Sequence, residues 1–288
     1  MNDALPISVL IPALNAERFI GEAIASVRAQ TRQVAEIIVV DNGCTDRTAQ
    51  IAADLGAVVV AEAQRGISSA RNAGLRRCTQ EWIALLDSDD QWDAEKIELQ
   101  WAAIQACPDA AIVACYFRVV EDGVVILENT EELSEQRWAG YNGRVIMKEC
   151  SYFPKIAGDF FPRFVPSCSD ALLRRDVFAT VGPFDEEVLY SEDFEFFMRA
   201  LARYPLAIVE KTLISCRRHD QKHTRNVKAM RDATFSIANY MLQHPEKYPA
   251  GIPQAFRDRL KQSFSTIERA LHEQREAAYR TERDSGGS

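Results

Sequence analysis

No stretch of this sequence approaches the roughly 20 uninterrupted apolar residues that a membrane-spanning helix requires. The opening MNDALPISVLIPALN has neither a basic leader nor a small-residue cleavage site, so no signal peptide is expected. Its apolar run from Leu5 to Leu14 contains two prolines and reads as a strand. Cysteine is present but never in C-x-x-C pairs: Cys44, Cys78, Cys107, Cys115, Cys150, Cys168 and Cys216 are scattered singly. That pattern argues against a disulfide framework or zinc ribbon and for reduced thiols in a cytosolic protein. Internal repeats are lacking. Basic residues are outnumbered, 34 against 42 acidic, and the net charge of -8 disfavours a nucleic-acid partner. One segment departs from this balance. Residues 211–231 carry Lys211, Arg217, Arg218, Lys222, Arg225, Lys228 and Arg231 against Asp220. Such a strip suits a phosphate-bearing ligand or an anionic membrane surface, and equally a solvated helix face.

What is present is enough apolar residue, 47% of 288, to bury a full α/β core with room for a helical appendage. The first 120 residues alternate strand and helix. Ile7–Ile11, Ile37–Val40, Ala57–Ala61, Trp82–Leu86 and Ala110–Phe117 are short apolar strands. Between them, Glu17–Gln30 has helical spacing at Phe19, Ile20, Ala23, Ile24 and Val27. Thr45 is a candidate cap for a helix to Leu55, stopped by Gly56, and helices are expected over Ser68–Arg77 and Asp93–Ala106. Continuous apolar strands alternating with amphipathic helices predict a parallel sheet covered on both faces. Ligands of such sheets sit at the strands' carboxyl ends. Asn15, Asp41-Asn42-Gly43 and Asp87-Ser88-Asp89-Asp90 all fall there.

The second half is less regular. Arg118–Glu128 reads as a hairpin around Asp122-Gly123. Residues 129–165 are loop-rich and aromatic, a candidate acceptor-facing surface. A strand and helix are expected over Ser169–Val181, a helix over Glu192–Arg203, terminal helices over Thr224–His244 and Gln254–Thr281, and a disordered tail over Asp284–Ser288. In the last helix Phe256, Leu260, Phe264, Ile267 and Leu271 form an apolar stripe. It packs on the rest of the chain, or else serves a homodimer or a peripheral membrane contact.

Four clusters carry chemistry. In LLDSDDQW, Asp87 and Asp89 are two apart, so an extended backbone would point both carboxylates to one side. Three carboxylates in four residues repel, and hard oxygen ligands suit Mg²⁺ or Mn²⁺; an acidic turn capping the next helix is the plainer alternative. In RGISSARNAG, Gly66 opens a helix of small residues bearing Arg71 and Asn72, which suits phosphate or close helix packing. Asp41 can accept the imide N–H of a pyrimidine base or cap its own turn. In Tyr190-Ser191-Glu192-Asp193, the paired acids offer a general base or ordinary helix N-terminal charge.

Taken in order, VLIPALNAERFI, VVDNGCTD, RGISSARNAG, LLDSDDQW and VGPFDE followed by SEDFEFFMR resemble the large inverting family 2 of glycosyltransferases, from Ile7 to about His219. The resemblance implies an α/β GT-A fold, a mostly parallel, Rossmann-like central sheet flanked by helices with a C-terminal helical extension. Residues 1–221 would be the catalytic domain, its nucleotide-sugar half ending at 117, and 222–288 the extension. It further implies that Pro12, Asn15 and Asp41 line the nucleoside pocket, with Arg71 near the base or diphosphate. Ala13, Glu17, Gly66 and Ser88 complete the nucleotide-sugar-binding set. Asp87 would lie near ribose and metal, Asp89 would bind the Mn²⁺ or Mg²⁺ most directly, and His219 in Cys-Arg-Arg-His would be a late histidine near metal or diphosphate. Asp193 would be the base, Glu192 its acceptor-side partner, and Arg199 a support for their helix. The expected reaction is non-processive transfer from a nucleotide-sugar donor, a UDP-sugar first, to a hydroxyl of a carbohydrate or lipid-linked acceptor. The expected setting is surface polysaccharide or glycoconjugate synthesis in the cytoplasm or peripherally at the inner face of the membrane.

Two departures stand out. Asn42 and Cys44 occupy a turn that in this family usually carries a second acid and a serine. Ser134-Glu135-Gln136-Arg137-Trp138 lacks the first glutamine of the Gln-x-x-Arg-Trp motif and precedes the Glu-Asp pair, which argues against a processive synthase. The enzymatic rival, a nucleotidyltransferase, wants a glycine-rich, arginine-containing loop where PALNAERF stands. A nucleotide-binding pseudoenzyme or assembly scaffold is the non-enzymatic alternative.

Overall fold

The computed structural model describes residues 4–128, 145–146, 150–153, 166–220, 237, 240–241 and 243–248. Strand β1 (Leu5–Ala13) leads to α1 (Ile20–Arg28), β2 (Val34–Asp41), α2 (Thr48–Asp54), β3 (Val58–Ala61), α3 (Ile67–Arg77) and β4 (Trp82–Leu85). β1 pairs in parallel with β2 on one side and β4 on the other, and β2 with β3. In β1 every residue but Pro6 is buried, because alternate side chains enter different cores. Ile7, Val9 and Ile11 meet Ile20, Ile24 and Val27 of α1. Leu10 on the opposite face meets Val40, Ala70 and Ala73. Each such fully buried aliphatic side chain contributes about 1.5–3 kcal/mol, which outweighs the modest helix propensity of the Ser- and Asn-bearing α3. Its small residues let it sit close. A Cβ on Gly74 would fall 2.0 Å from Leu10 Cδ1 and 2.9 Å from Val40 Cγ2.

Beyond β4 the sheet becomes mixed. Short β5 (Gln91–Trp92) precedes α4 (Lys96–Ala106), then come β6 (Ile112–Glu121) and β7 (Val124–Glu128). The hairpin expected at Asp122-Gly123 is present, with φ of 49° and 79° at those residues. β8 (Val145–Ile146) and β9 (Ser151–Phe153) follow, then β10 (Leu172–Arg174), α5 (Arg175–Val181), α6 (Glu192–Leu201) and β11 (Leu206–Arg218). Among the described residues the order is β3-β2-β1-β4-β10-β6-β11-β9-β8, with β5 on β11 and β7 on β6. β10 lies antiparallel to both β4 and β6, between two strands of common direction.

Several sequence expectations need correction. The 13-residue β11 was not anticipated, so Lys211, Arg217 and Arg218 lie on a strand and not on a helix face. Its LAIVEKTLISC is rich in β-branched residues, and the charge pattern masked that signal. α4 starts at Lys96, because Asp93 bonds through its amide to the Leu213 carbonyl at 2.9 Å. α2 starts at Thr48, not after a Thr45 cap, since the Thr48 hydroxyl accepts the Ala16 amide at 2.8 Å. Of the helix expected over Thr224–His244, Ile237, Tyr240, Met241, Gln243 and His244 are described; all are helical but His244, which leads into a 3-10 turn at Pro245–Lys247. Ile237 and Met241 bury with Tyr248 against Val188 and Met198. Gln254–Thr281 with its apolar stripe, the tail, and most of 129–165 lie outside the described residues. Among the described residues no helix is long and apolar enough to cross a membrane.

Candidate active site

Two loops at the carboxyl ends of β1 and β2 are laced together. Asn15 has a left-handed backbone, φ 49°, and its Oδ1 accepts the Thr45 amide at 2.8 Å. Glu17 Oε2 accepts the Arg47 amide at 3.1 Å. Asp41 Oδ1 accepts the Cys44 amide at 2.7 Å, so one of its oxygens caps the turn. Pro12 and Ala13 are buried at the end of β1. Asn42 is buried for a reason the sequence concealed. Its amide donates to the carbonyls of Glu62 and Gln64 at 3.1 and 2.7 Å, and its Oδ1 accepts the Gly66 amide at 2.9 Å. An acid there would lose both donations. Gly66, with φ 140°, starts α3 in a conformation that favours glycine.

The acidic motif is a turn, not the extended run expected. The Asp90 amide bonds back to the Asp87 carbonyl at 3.1 Å, and Ser88 and Asp89 form the bend. The three carboxylates consequently diverge. Asp87 Oδ1 accepts from Arg71 Nη2 at 2.9 Å. Asp89 Oδ2 lies 2.9 Å from His219 Nε2. Buried Asp90 accepts from Ser169 Oγ at 2.7 Å and from the Arg217 amide at 3.1 Å. Each acid has its own donor, so their mutual repulsion is weaker than spacing alone suggests, and Asp90 is a structural tie. His219 packs on Phe19 with centroids 4.5 Å apart, and the Arg217 guanidinium lies 4.9 Å from the centre of the same Phe19 ring while pairing with Glu22 at 2.5 Å. Lys211 pairs with Glu95, and Arg218 lies 3.9 Å from Glu121. Thus the described part of the basic strip is ion-paired.

Arg71, expected near a base or diphosphate, is 3% exposed and joins two elements. Besides Asp87 it bonds Glu192, and its guanidinium lies 5.2 Å from the Phe184 ring centre. Glu192 and Asp193 start α6 after Ser191, whose left-handed φ of 57° costs on the order of 1 kcal/mol. Burial pushes the Asp193 carboxyl up, to about 6; adjacent Glu192 adds to this, while Arg71 and the Phe194 amide, 2.7 Å away, oppose it. Arg199, as expected, supports α6, pairing with buried Glu195 at 2.7 Å.

Behind the motif lies a buried polar pair that sequence reasoning missed. Asp170 Oδ2 accepts the Ser167 amide and hydroxyl, each at 2.9 Å, while burial raises its carboxyl to about 7. Burial lowers Lys96 to about 8; its ammonium bonds Gln100 at 2.8 Å and lies 4.0 Å from the Trp92 ring centre. A lysine at helical spacing beside apolar neighbours gave no warning of this. Ser169 was equally illegible. Asn72, placed by the sequence on a helix that suits phosphate or close packing, bonds the Phe184 backbone through both its amide nitrogen and oxygen at 2.9 and 3.0 Å.

A family profile described as Glycosyl transferase family 2 matches residues 8–182. The chain belongs to glycosyl transferase family 2. Asp193 and Glu192 lie just past the matched span of this family 2 chain. Relatives include the uncharacterized glycosyltransferase RT0329 of Rickettsia typhi, 26% identical over 76% of this chain and 65% of its own length. The chain therefore spans about two thirds of that relative. Another is the Escherichia coli UDP-Glc:alpha-D-GlcNAc-diphosphoundecaprenol beta-1,3-glucosyltransferase WfgD, 36% identical over 35% of this chain and 41% of its own length. Among solved structures, S. aureus TarS 1-349 in complex with UDP-GlcNAc aligns with TM-score 0.63 and 21% identity over 89% of this chain and 70% of that one. That likeness establishes the GT-A fold.

Proposed function

We propose that this family 2 chain transfers a sugar from a UDP-sugar to an acceptor hydroxyl with inversion at the anomeric carbon, in the synthesis of a surface polysaccharide or glycoconjugate. The observation that carries the reading is Asp193 with a raised carboxyl beside the Arg71-linked acids Glu192 and Asp87. A carboxylate titrating near 6 is basic enough to take a hydroxyl proton, yet still ionised at neutral pH. Asp193 accepts the acceptor proton as its oxygen bonds the anomeric carbon from the face opposite the diphosphate. The bond to the diphosphate oxygen breaks with its electron pair, leaving UDP and an inverted glycoside. Glu192, held by Arg71, is the acceptor-side partner. Pro12, Ala13, Asn15, Glu17, Asp41, Gly66 and Ser88 line the nucleotide side. UDP is favoured over other nucleotides by the UDP-Glc donor of the relative WfgD and the UDP and UDP-GlcNAc complexes of TarS.

Asp89 and His219 offer an oxygen and a nitrogen donor 2.9 Å apart, with Asp87 nearby in the motif, a set that suits Mg²⁺ or Mn²⁺. Among the described residues no three His, Cys, Asp or Glu side chains are grouped so as to hold an ion, and the metal reading rests on Asp89 and His219. When bound, the ion supplies positive charge against the departing diphosphate.

Thermal shift with UDP, GDP and dTDP, each with and without Mn²⁺, tests the reading, since a ligand of the folded state raises Tm. A UDP shift that needs Mn²⁺ and vanishes in Asp89→Ala supports it. A GDP or dTDP preference changes the donor, and no shift with any nucleotide favours a scaffold.

A further inference from the structure

Past the family-matched span, residues 240–248 lay three side chains onto the elements that carry the acids. Tyr248 Oη donates to Glu195 Oε1 at 2.7 Å. Glu195 is fully buried on α6, just beyond Asp193, and both its oxygens also accept from Arg199, each at 2.7 Å. Arg199 in turn donates to the Val181, Gly182 and Pro183 carbonyls, the last at 2.9 Å. Next along the chain, Asp185 accepts from Tyr240 Oη and Lys247 Nζ, both at 2.5 Å. Burial would raise the Asp185 carboxyl, but these two donors hold it below its usual range. Between them Phe184 is fixed by Asn72 and lies under Arg71. The turn over 181–185 is thus gripped from α3 on one side and from 240–248 on the other.

We infer that Tyr248 is a positioning residue, whose hydroxyl, bonded to Glu195, sets the orientation of α6 and so the aim of Asp193 and Glu192. The inference rests on the reading of Asp193 as base. A buried carboxylate shared by an arginine fork and a phenol has one geometry that satisfies all three bonds. Without the phenol, Glu195 keeps its charge and its arginine but loses the contact tying α6 to 240–248. The side chains at the start of a short helix swing with it, and misplacing a reacting group by an ångström slows chemistry by up to about 100-fold.

Tyr248→Phe keeps the buried ring and removes only this bond. Hydrogen exchange of peptides spanning 191–201 is expected to quicken in the variant, with exchange of 5–13 and 34–41 unchanged. UDP release from UDP-GlcNAc or UDP-Glc is expected to fall on the order of 10-fold in kcat, with donor KM and UDP Kd unchanged within twofold. A role in stability alone would leave kcat intact. Unchanged exchange over 191–201, or kcat within twofold of the parent, overturns the inference. Asp193→Asn, run in parallel, separates the two readings: if it retains turnover the base assignment fails, while exchange over 191–201 still decides whether Tyr248 orients α6.

Discussion

Arg71 and Glu192, 121 positions apart in sequence, meet as a buried ion pair, and the same guanidinium holds Asp87 at 2.9 Å. The acidic motif after β4 and the start of α6 therefore share one cation. Arg71→Met would leave acids buried without their partner. Breaking such a pair costs about 3–5 kcal/mol, and the 35% exposure of the Asp87 side chain puts this one near about 3. Urea unfolding measures it, and a loss below about 1 kcal/mol would show that water already screens the cluster.

On the proposed reading of Asp193 as base, its raised carboxyl, at about 6, should set the acid side of the rate profile. As base it must be ionised, so kcat/KM should rise with pH up to an apparent pKa of about 6 and then level. A profile flat down to pH 4.5 would remove Asp193 from that role.

Asp170, at about 7, makes a separate prediction for stability. Its folded pKa lies above its ordinary value of 3.8, so between those limits the folded chain binds a proton that the unfolded chain has released. This group's contribution to stability therefore falls as pH climbs from about 4 to 7, with a slope of up to about 1.4 kcal/mol per unit. Lys96, lowered to about 8, acts with the opposite sign above that pH. Asp170→Asn should flatten the decline between pH 4.5 and 7 in urea titrations. An unaltered slope would mean the carboxyl titrates normally.

Gly74→Ala pits helix propensity against packing. Alanine gains about 1 kcal/mol in a helix interior, but its Cβ meets Leu10 Cδ1 at 2.0 Å, and overpacking of that kind costs about 1–3 kcal/mol or more. A net loss in Tm is expected. In Leu10→Ala the same substitution should be tolerated better, giving a coupling energy that a double-mutant cycle reads directly.

Asn42→Asp restores the acid usual in the family yet removes the donors to Glu62 and Gln64. The cost should be about 2 kcal/mol, read by denaturant midpoint. An unchanged midpoint would mean the 62–66 loop does not depend on those bonds.

The first half of this fold is legible because its physics is local. Apolar runs of strand length, helical spacing in Ile20–Val27 and a stop at Gly56 each declare an element without reference to distant chain. Asp41, Asp87 and Asp89 were legible by their place at strand ends. The acidic motif was misjudged because spacing counts charges but not donors: Arg71, His219 and Ser169 come from other elements. β11 was missed because its lysine and arginines disguise β-branched residues whose burial comes from neighbours far away in sequence. Tyr248 and Glu195 had no visible relation, since their meaning is the bond between them.

The antiparallel β10 has a consequence for how the chain is made. It is the wedge between β4 and β6, so neither can find its final neighbour until Leu172–Arg174 exists. A nascent chain can assemble the three-layered start from β1 to β4 early, but it must carry an open sheet edge through some ninety further residues of synthesis, a span exposed to mispairing. The elements that present Asp89 and those that present Asp193 are therefore joined late and together, and a cut between the two halves would leave an unfinished edge on each.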